Sequence, residues 1–432
     1  MLRFATEKLI EWKNSTTRKP LVLKGARQVG KTWLMKEFGS KYYKNYVYCN
    51  FDEEKELKSI FENNKNPNRI IELLSMLFNS KIEPQNSLII FDEIQECPEA
   101  LNSLKYFNEN ANANDYHLIA AGSLLGTLLS NPKSYPVGKI NLLNVNPLTF
   151  DEFLLATDKG LYDYYSSIQK NQKIEEIFHN KLLEIYHYYL IIGGMPESVS
   201  AWITEKDPKK ILQIQKELNE IYENDFSKHN GKINSGRLLM VFRSIVSQLA
   251  KENQKFVYGA VREGGRARDF EEAIEWLVSA GMINRVYNIS KPEHPVAAFD
   301  KLDCFKLYLF DTGLLKYKAG IDNSSILLKT DYQFKGALVE NFVLQQLKEK
   351  FEIPPRYYAT RYGEIDFVIQ NGSNIVPIEV KAGSNKSATT FKKYIKENNP
   401  DFAIRFSEMN YVTDGKITNI PLYLASAIDR FI

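Results

Sequence analysis

The sequence predicts an α/β fold organised around a parallel sheet, with a second α/β region near the C-terminus. A short apolar segment, 21–23, leads into a glycine-containing loop and then a helical pattern. The apolar run 87–91 ends in two acidic residues, and segment 363–381 alternates apolar and charged residues around an Asn-Gly turn. Strands that alternate with helices are typical of parallel sheets, whereas the alternating segment is typical of a β-hairpin.

The composition is that of a folded, multidomain protein. The chain has 432 residues, enough for two or three domains, and its net charge of +3 excludes a histone-like polycation. Its three cysteines, Cys49, Cys97 and Cys304, lack CxxC spacing, which argues against a disulfide framework or zinc site and indicates a reducing compartment. No signal-peptide pattern begins the chain, and the most apolar run, 118–129, is too short to span a bilayer. We therefore expect a cytoplasmic protein with no membrane partner.

The first predicted site is a phosphate-binding loop. The octapeptide GARQVGKT, residues 25–32, matches G-x-x-x-x-G-K-T between a strand and a helix, the context that this motif requires. Gly25 and Gly30 let backbone N–H groups point inward at phosphate oxygens. Lys31 adds charge at the β- and γ-phosphates, and the Thr32 hydroxyl is a ligand for Mg²⁺. We expect these residues to contact ATP: Gly25, Ala26, Arg27, Gln28, Val29, Gly30, Lys31, Thr32, Trp33 and Asp92.

The second predicted strand supplies acidic residues to the same site. SLIIFDEIQ, residues 87–95, is continuously apolar until Asp92 and Glu93, as expected for a strand buried on both faces. Asp92 is placed to hold Mg²⁺ and Glu93 to deprotonate an attacking water, at the edge of the sheet where the loop lies. Ser123 ends a third strand, 116–123, where its hydroxyl either contacts the γ-phosphate or the attacking water, or caps a helix.

These segments resemble a prokaryotic AAA+-type ATPase family. The resemblance rests on GARQVGKT, LIIFDEIQ, AAGSLLG, VNPLTFDEFL (145–154) and GGMPE (193–197), and extends over nearly the whole chain. It implies ATP binding and hydrolysis with Mg²⁺, and members often carry a C-terminal domain long of unknown function. It also implies an arginine finger, for which Arg27, Arg266 and Arg268 are candidates, and it makes a homo-oligomer or another protein partner an expectation.

The middle of the chain divides into two predicted parts. Residues 151–232 show helical periodicity, and the resemblance implies a lid around the nucleotide. Residues 233–315 give three helices followed by two strands, the order of a winged helix. Arg262, Arg266 and Arg268 lie before or at the start of its third helix, where DNA-binding proteins place contacts. The alternative is a module that only packs between domains.

The C-terminal hairpin carries its charges on one face. With a four-residue loop at 371–374, Gln370 faces Ile375 and Asp366 lies opposite Glu379, whereas a two-residue turn at 371–372 pairs Glu364 with Glu379. In both registers the period of two places the polar set on one side of the strands. That set is Glu364, Asp366, Glu379 and Lys381.

This polar set resembles the PD-(D/E)XK nuclease fold. By that resemblance Asp366 and Glu379 hold Mg²⁺ or Mn²⁺, Lys381 is catalytic, and Glu340, on the preceding helix, orients the metal site. No proline precedes Asp366, and many domains of this fold bind without cleaving. A solvated face with Glu379 and Lys381 as a surface pair is the structural alternative, and the basic segment 391–400 is either a DNA-tracking helix or a solvated one.

We therefore predict four domains: a P-loop ATPase core (1–150), a helical lid (151–232), a winged-helix-like domain (233–315) and a restriction-endonuclease-like α/β domain (316–432). The expected function is an ATPase coupled to a nuclease-like domain that acts on or binds DNA. The alternative is a nucleotide-dependent switch with a catalytically inactive interaction domain.

Overall fold

The computed structural model describes residues 1–62, 64–110, 115–122, 138–228, 235–330, 332–348, 350–360, 363–383 and 389–432. The chain forms two compact units. One, the N-terminal unit, comprises Leu2–Asn146 and Glu275–Met282; the other, the C-terminal unit, comprises Pro147–Ile274 and Ile283–Ile432 together with Met1. The finer four-domain division stays a prediction.

The N-terminal unit contains a five-stranded parallel sheet in the order β2-β3-β4-β1-β5. Its strands are β1 Leu21–Lys24, β2 Asn45–Asn50, β3 Ser87–Asp92, β4 His117–Ala121 and β5 Asn141–Asn144. Every residue of β3 is buried, which explains its continuous apolar sequence. In this order β4 separates β1 from β3, and the loop after β1 and the acidic end of β3 lie at the same edge of the sheet.

Parallel sheets are generally covered by helices on both faces. In this unit the helices alternate with the strands along the chain. They are α1 Ala5–Asn14, α2 Lys31–Tyr42, α3 Ser59–Glu62, α4 Pro67–Leu77 and α5 Pro98–Glu109, with short 3-10 helices at Lys55–Lys58 and Ile94–Glu96. Part of the core is a triad of edge-to-face rings, Phe51, Phe61 and Phe91, whose centroids lie 5.5 Å apart.

The C-terminal unit begins with a series of helices. They are α6 Phe150–Thr157, α7 Lys159–Ser167, α8 Glu176–Ile192, α9 Pro196–Glu205, α10 Pro208–Lys228, α11 Ser235–Leu249 and α12 Tyr258–Val261, followed by α13 Ala267–Ser279, within which the division between the units falls. Later in the chain come α14 Thr312–Lys318, α15 Asn323–Leu327, α16 Lys335–Leu347 and α17 Thr389–Asn398, and 3-10 helices at Val296–Phe299 and Leu422–Arg430.

The helices expected to form a nucleotide lid pack against later segments of the C-terminal unit, and their role as a lid stays a prediction. Phe150 of α6, Tyr189 of α8 and Phe342 of α16 form a ring cluster with centroids 5.5–6.4 Å apart. The Tyr165 and Ser426 hydroxyls lie 3.0 Å apart, and His179 Nδ1 lies 2.8 Å from the Tyr423 hydroxyl. Their apolar faces are thus used against the C-terminal part of the chain, a long-range pairing that periodicity does not reveal.

An eight-stranded mixed sheet forms the rest of this unit, in the order β12-β13-β11-β10-β9-β8-β6-β7. Its strands are β6 Ile283–Ile289, β7 Asp300–Leu309, β8 Arg356–Thr360, β9 Gly363–Asn371, β10 Asn374–Val380, β11 Ala403–Ser407, β12 Val412–Asp414 and β13 Ile417–Pro421. The predicted wing strands exist as the antiparallel pair β6 and β7, but they belong to this larger sheet through a bridge between Asn288 and Tyr357. The winged-helix assignment itself stays a prediction.

The hairpin of β9 and β10 adopts the first of the two predicted registers. Ile375 pairs with Gln370 and Ile378 with Phe367, so the next positions along the strands are Asp366 and Glu379. Pairing extends to Asn371 and Asn374, which leaves a two-residue turn at 372–373.

Among the helices that the structure describes, none has the length and apolar character needed to cross a membrane.

Candidate functional site

The backbone of the P-loop requires glycine at its first position. Gly25 has φ +147°, and a Cβ at this position would overlap the carbonyl oxygen of Val145. A larger residue is therefore excluded both by conformation and by space. Arg3 links the loop to the segment after β5, because its guanidinium donates to the carbonyl of Val29 (3.0 Å) and to that of Asn146 (2.6 Å).

Lys31 lies inside the loop. Its ammonium donates to the carbonyls of Gly25 (2.9 Å) and Ala26 (2.8 Å), and its side chain is buried. Burial lowers the pKa of Lys31 to about 8, although Glu93 and Asp92 act in the opposite direction. A buried ammonium surrounded by backbone is suited to bind a phosphate.

The two predicted Mg²⁺ ligands are in direct contact. The Thr32 hydroxyl donates to Asp92 Oδ2 over 2.7 Å, and the Glu93 N–H donates to Asp92 Oδ1 over 3.0 Å. Tyr48 adds a second donor to Asp92 Oδ2 at 2.9 Å, a residue that the sequence did not single out. The Lys36 ammonium lies 3.6 Å from the centre of the Tyr48 ring and fixes its position.

Glu93 follows directly after β3 in a left-handed conformation (φ +48°), and its Oε2 accepts a hydrogen bond from Gln95. The side chain of Trp33 is 42% exposed. Ser123 lies outside the described residues.

Gly281 belongs to the same unit as the P-loop. It has φ +74°, and a Cβ there would lie 3.3 Å from the backbone nitrogen of Ala26.

A second polar cluster lies in the C-terminal unit around Glu340. This carboxylate is 8% exposed; Oε1 accepts from Gln254 Nε2 (3.0 Å) and Oε2 from the Tyr308 hydroxyl (2.9 Å). Lys306, on β7, is 1% exposed, forms an ion pair with Glu364 and lies 3.9 Å from Glu340 Oε2. Gln254, Lys306 and Tyr308 are far from the hairpin in sequence and belong to no motif that marks this site.

The hairpin supplies the other half of this cluster. Asp366 Oδ2 accepts from the Val380 N–H over 2.7 Å, and Glu379 pairs with Lys381 through Oε1. Glu379 is 5% exposed, and its Oε2 is buried without a hydrogen-bond partner among the described residues. Glu379 therefore does not lie on a solvated outer face, although the Glu379–Lys381 pair of that alternative is present.

The surroundings of the cluster favour the protonated form of its carboxylic acids. Burial, followed by Glu379 and Glu340, raises the pKa of Asp366 well above its ordinary value. Burial also raises the pKa of Glu379, against the effect of Lys381. Burial lowers the pKa of Lys306, but Glu340, Glu364 and Asp366 outweigh it and the net pKa is raised. A cation between Asp366 and Glu379 would relieve both carboxylates.

Arg27, a candidate arginine finger within the P-loop, is half-buried, whereas the other arginines considered for DNA or finger roles are solvent-exposed. Arg262, Arg266 and Arg268 lie at the surface before and at the start of α13. The Arg266 N–H donates to Asp269 Oδ2 (2.9 Å), and this bond, with Arg268 and Arg262, lowers the pKa of Asp269.

Among the described residues, no group of three or more His, Cys, Asp and Glu side chains is arranged to hold a metal ion.

Three family models match the chain. Residues 17–154 match an AAA domain, residues 183–325 match a domain of unknown function (DUF8612), and residues 335–424 match another (DUF4143). The AAA match covers the five-stranded sheet, the P-loop and the Thr32–Asp92 contact.

The curated relatives match only a short stretch. UPF0102 proteins of Thermotoga petrophila and Thermotoga maritima are 48% identical over 48 residues, which are 11% of this chain and 44% of those proteins. The chain thus spans less than half the length of the curated relatives it matches.

Solved structures give wider but weaker likenesses. The Walker-type ATPase of Pyrococcus abyssi is 16% identical with a TM-score of 0.46, over 72% of this chain and 94% of that one. The ORC2 protein of Aeropyrum pernix, solved with ADPNP and ADP, is 14% identical with a TM-score of 0.36, over 76% and 95%. These TM-scores are too low to support an argument about this chain. The family match, together with the P-loop geometry, identifies residues 17–154 as an AAA domain.

Proposed function

We propose that the N-terminal unit hydrolyses ATP. The observation that carries this proposal is the 2.7 Å hydrogen bond between Thr32 and Asp92, because it joins the two groups that would hold the Mg²⁺ of the nucleotide. Lys31 and the N–H groups of the loop bind the phosphates. Glu93, next to Asp92, accepts a proton from the attacking water.

Two variants test this division of roles. Lys31→Ala should abolish ATP binding, because it removes the buried positive charge in the loop. Glu93→Gln should retain binding and stop turnover, because an amide cannot accept the proton. Hydrolysis by Glu93→Gln at the wild-type rate would show that another group is the base.

For the C-terminal unit we propose a metal-dependent, nuclease-like site that acts on DNA. The supporting observation is the buried Oε2 of Glu379, next to Asp366, which has no hydrogen-bond partner in the described part of the chain. These oxygens fit one Mg²⁺ or Mn²⁺, which prefer carboxylate ligands. When bound, the ion would activate water for attack on a phosphodiester. Lys381, paired with Glu379, stabilises negative charge that develops on the phosphate, and Glu340 orients the cluster.

DNA cleavage is the direct test of this proposal. Purified protein is incubated with linear, nicked and branched DNA and Mg²⁺ or Mn²⁺, with and without ATP. Cleavage by the wild type that disappears in Asp366→Ala supports the nuclease function. Equal cleavage by Asp366→Ala would assign the activity to another site or to a contaminant.

A second function, a nucleotide-dependent switch with a silent C-terminal domain, is favoured by the ion pairs already present in the cluster. Lys306 neutralises Glu364, and Lys381 neutralises Glu379, so part of the negative charge is compensated without a metal. No cleavage with either metal, together with ATP-dependent binding of DNA or a protein partner, would support the switch.

The chain itself suggests how ATP would influence the C-terminal unit. Gly281 lies against Ala26 of the P-loop, and two residues later the chain enters β6 of the eight-stranded sheet. A nucleotide that moves the loop backbone therefore acts on the end of the segment that leads into this sheet. The coupling belongs to the proposal under either function.

A further inference from the structure

The acidic cluster of the C-terminal unit already contains a cation that the hairpin does not supply. Lys306 comes from β7, which precedes the hairpin by more than fifty residues, and its side chain is 1% exposed. Its ammonium pairs with Glu364, lies 3.9 Å from Glu340 Oε2 and 3.3 Å from Gln254 Oε1. A lysine is rarely buried so completely unless acidic partners surround it.

The cluster divides into a satisfied half and an unsatisfied half. Both oxygens of Glu340 accept hydrogen bonds, from Gln254 and Tyr308, and Glu364 is paired with Lys306. In the other half, Glu379 has one buried oxygen without a partner among the described residues. The half that contains Lys306 therefore does not need a further cation, whereas the half at Glu379 does.

We propose that Lys306 takes the place of a second divalent cation, so that the C-terminal site binds one metal ion, at Asp366 and Glu379. The proposal rests on the nuclease-like site proposed above. Lys306 acts as a positioning residue: its fixed charge holds Glu340 and Glu364 and repels a second dication from their side of the cluster. A single-ion site follows, in which the remaining positive charge comes from lysines of the chain.

The metal count decides the proposal. Mn²⁺ is titrated into the full-length protein without nucleotide and followed by electron paramagnetic resonance and calorimetry, in an Asp92→Asn background that removes the metal ligand of the ATP site. We expect one Mn²⁺ per chain, and at least tenfold weaker binding in Glu379→Gln. Two ions per chain would overturn the role of Lys306 and leave the nuclease-like site standing. No bound ion would overturn both proposals.

Variants of Lys306 test whether its charge limits the site to one metal ion. Lys306→Met should bind a second Mn²⁺ and should gain more thermal stability from Mn²⁺ than the wild type, because Glu340 and Glu364 lose their cation. Lys306→Arg keeps the charge and should bind one ion. Lys316→Met is the matched control, because Lys316 is also buried (3%) but contacts Asn323 outside the cluster. A Lys306→Met protein that binds one ion with wild-type affinity would overturn the proposal. If this variant does not fold, the number of Mn²⁺ ions bound by the wild type and by Lys306→Arg still decides the proposal.

Discussion

The hydroxyl of Thr32 donates a 2.7 Å hydrogen bond to Asp92 Oδ2, which joins the end of the P-loop to the end of a buried strand sixty residues later. Tyr48 donates to the same oxygen over 2.9 Å. Asp92 is 3% exposed, so its orientation is set by these donors and by the Glu93 N–H. The contact shows that the two nucleotide motifs form one site in this chain.

This contact predicts coupled effects of substitution. Thr32→Val and Asp92→Asn should each strongly reduce Mg²⁺-dependent ATP hydrolysis, and the double variant should lose far less than the sum of the two effects. Thr32→Ser keeps the hydroxyl and is the control, with activity near the wild type. The check is a double-mutant cycle on kcat/KM, and additive losses would show that the two side chains act independently.

Gly281 should influence nucleotide binding through the P-loop backbone. In Gly281→Ala the new Cβ would lie 3.3 Å from the nitrogen of Ala26, which would displace an amide of the loop that we propose binds the phosphates. Gly320→Ala is the matched control, because Gly320 also has positive φ (+65°) but nothing lies within 4 Å of a Cβ there. Both variants should lose roughly 1 kcal/mol of stability from the left-handed conformation. Calorimetry should show weaker ATP binding for Gly281→Ala alone, and equal affinities would contradict the prediction.

Asp311 should make folding stability depend on pH. It is fully buried, accepts from the Gly194 N–H (2.7 Å) and the Leu314 N–H (2.9 Å), and burial raises its pKa to about 6 from 3.8. Because the folded state binds the proton more tightly than the unfolded state, this residue favours folding increasingly as the pH falls below about 6. Between pH 7.5 and pH 5 its contribution should rise by about 1.4 kcal/mol.

The measurement is urea unfolding of wild type and Asp311→Asn at both pH values. The asparagine does not titrate, so the pH-dependent gain of the wild type should exceed that of the variant by this amount. Other buried acids contribute equally to both proteins and cancel in the comparison. Identical pH dependence in the two proteins would mean that Asp311 does not titrate in this range.

The Tyr308 hydroxyl should stabilise the fold through its bond to a buried carboxylate. Tyr308→Phe leaves Glu340 Oε2 without its 2.9 Å donor, and such a loss costs about 1.5–3 kcal/mol for a charged acceptor. Tyr411→Phe is the control: Tyr411 is also buried, but its hydroxyl contacts the neutral side chain of Asn171 at 3.2 Å. Chemical unfolding should show the larger loss for Tyr308→Phe, whereas equal losses would argue against a special role for the charged pair.

The motif segments 145–154 and 193–197 show what sequence similarity alone leaves open. The Leu148 N–H donates to the carbonyl of Gly194 (2.7 Å), and the Gly194 N–H donates to Asp311. Leu148 and Gly194 are thus parts of one packed node in the C-terminal unit, whereas Val145, at the start of the first segment, lies against Gly25 of the P-loop. Their residues are close because of tertiary packing, and a linear motif carries no record of its partner.

The sequence by itself determined the features that depend on neighbouring residues. The P-loop between β1 and α2, the acidic end of β3, and the one-faced charges of the hairpin all follow from local conformation and from periods of two or 3.6 residues. Only the tertiary structure selected the hairpin register, placed the helices 150–228 in the C-terminal unit, and brought Tyr48 to Asp92 and Lys306 to Glu364. The contacts of Tyr48 with Asp92 and of Lys306 with Glu364 join residues more than forty positions apart. They form because buried charges and hydroxyls must find partners when water is removed, a requirement that no local pattern of residues specifies.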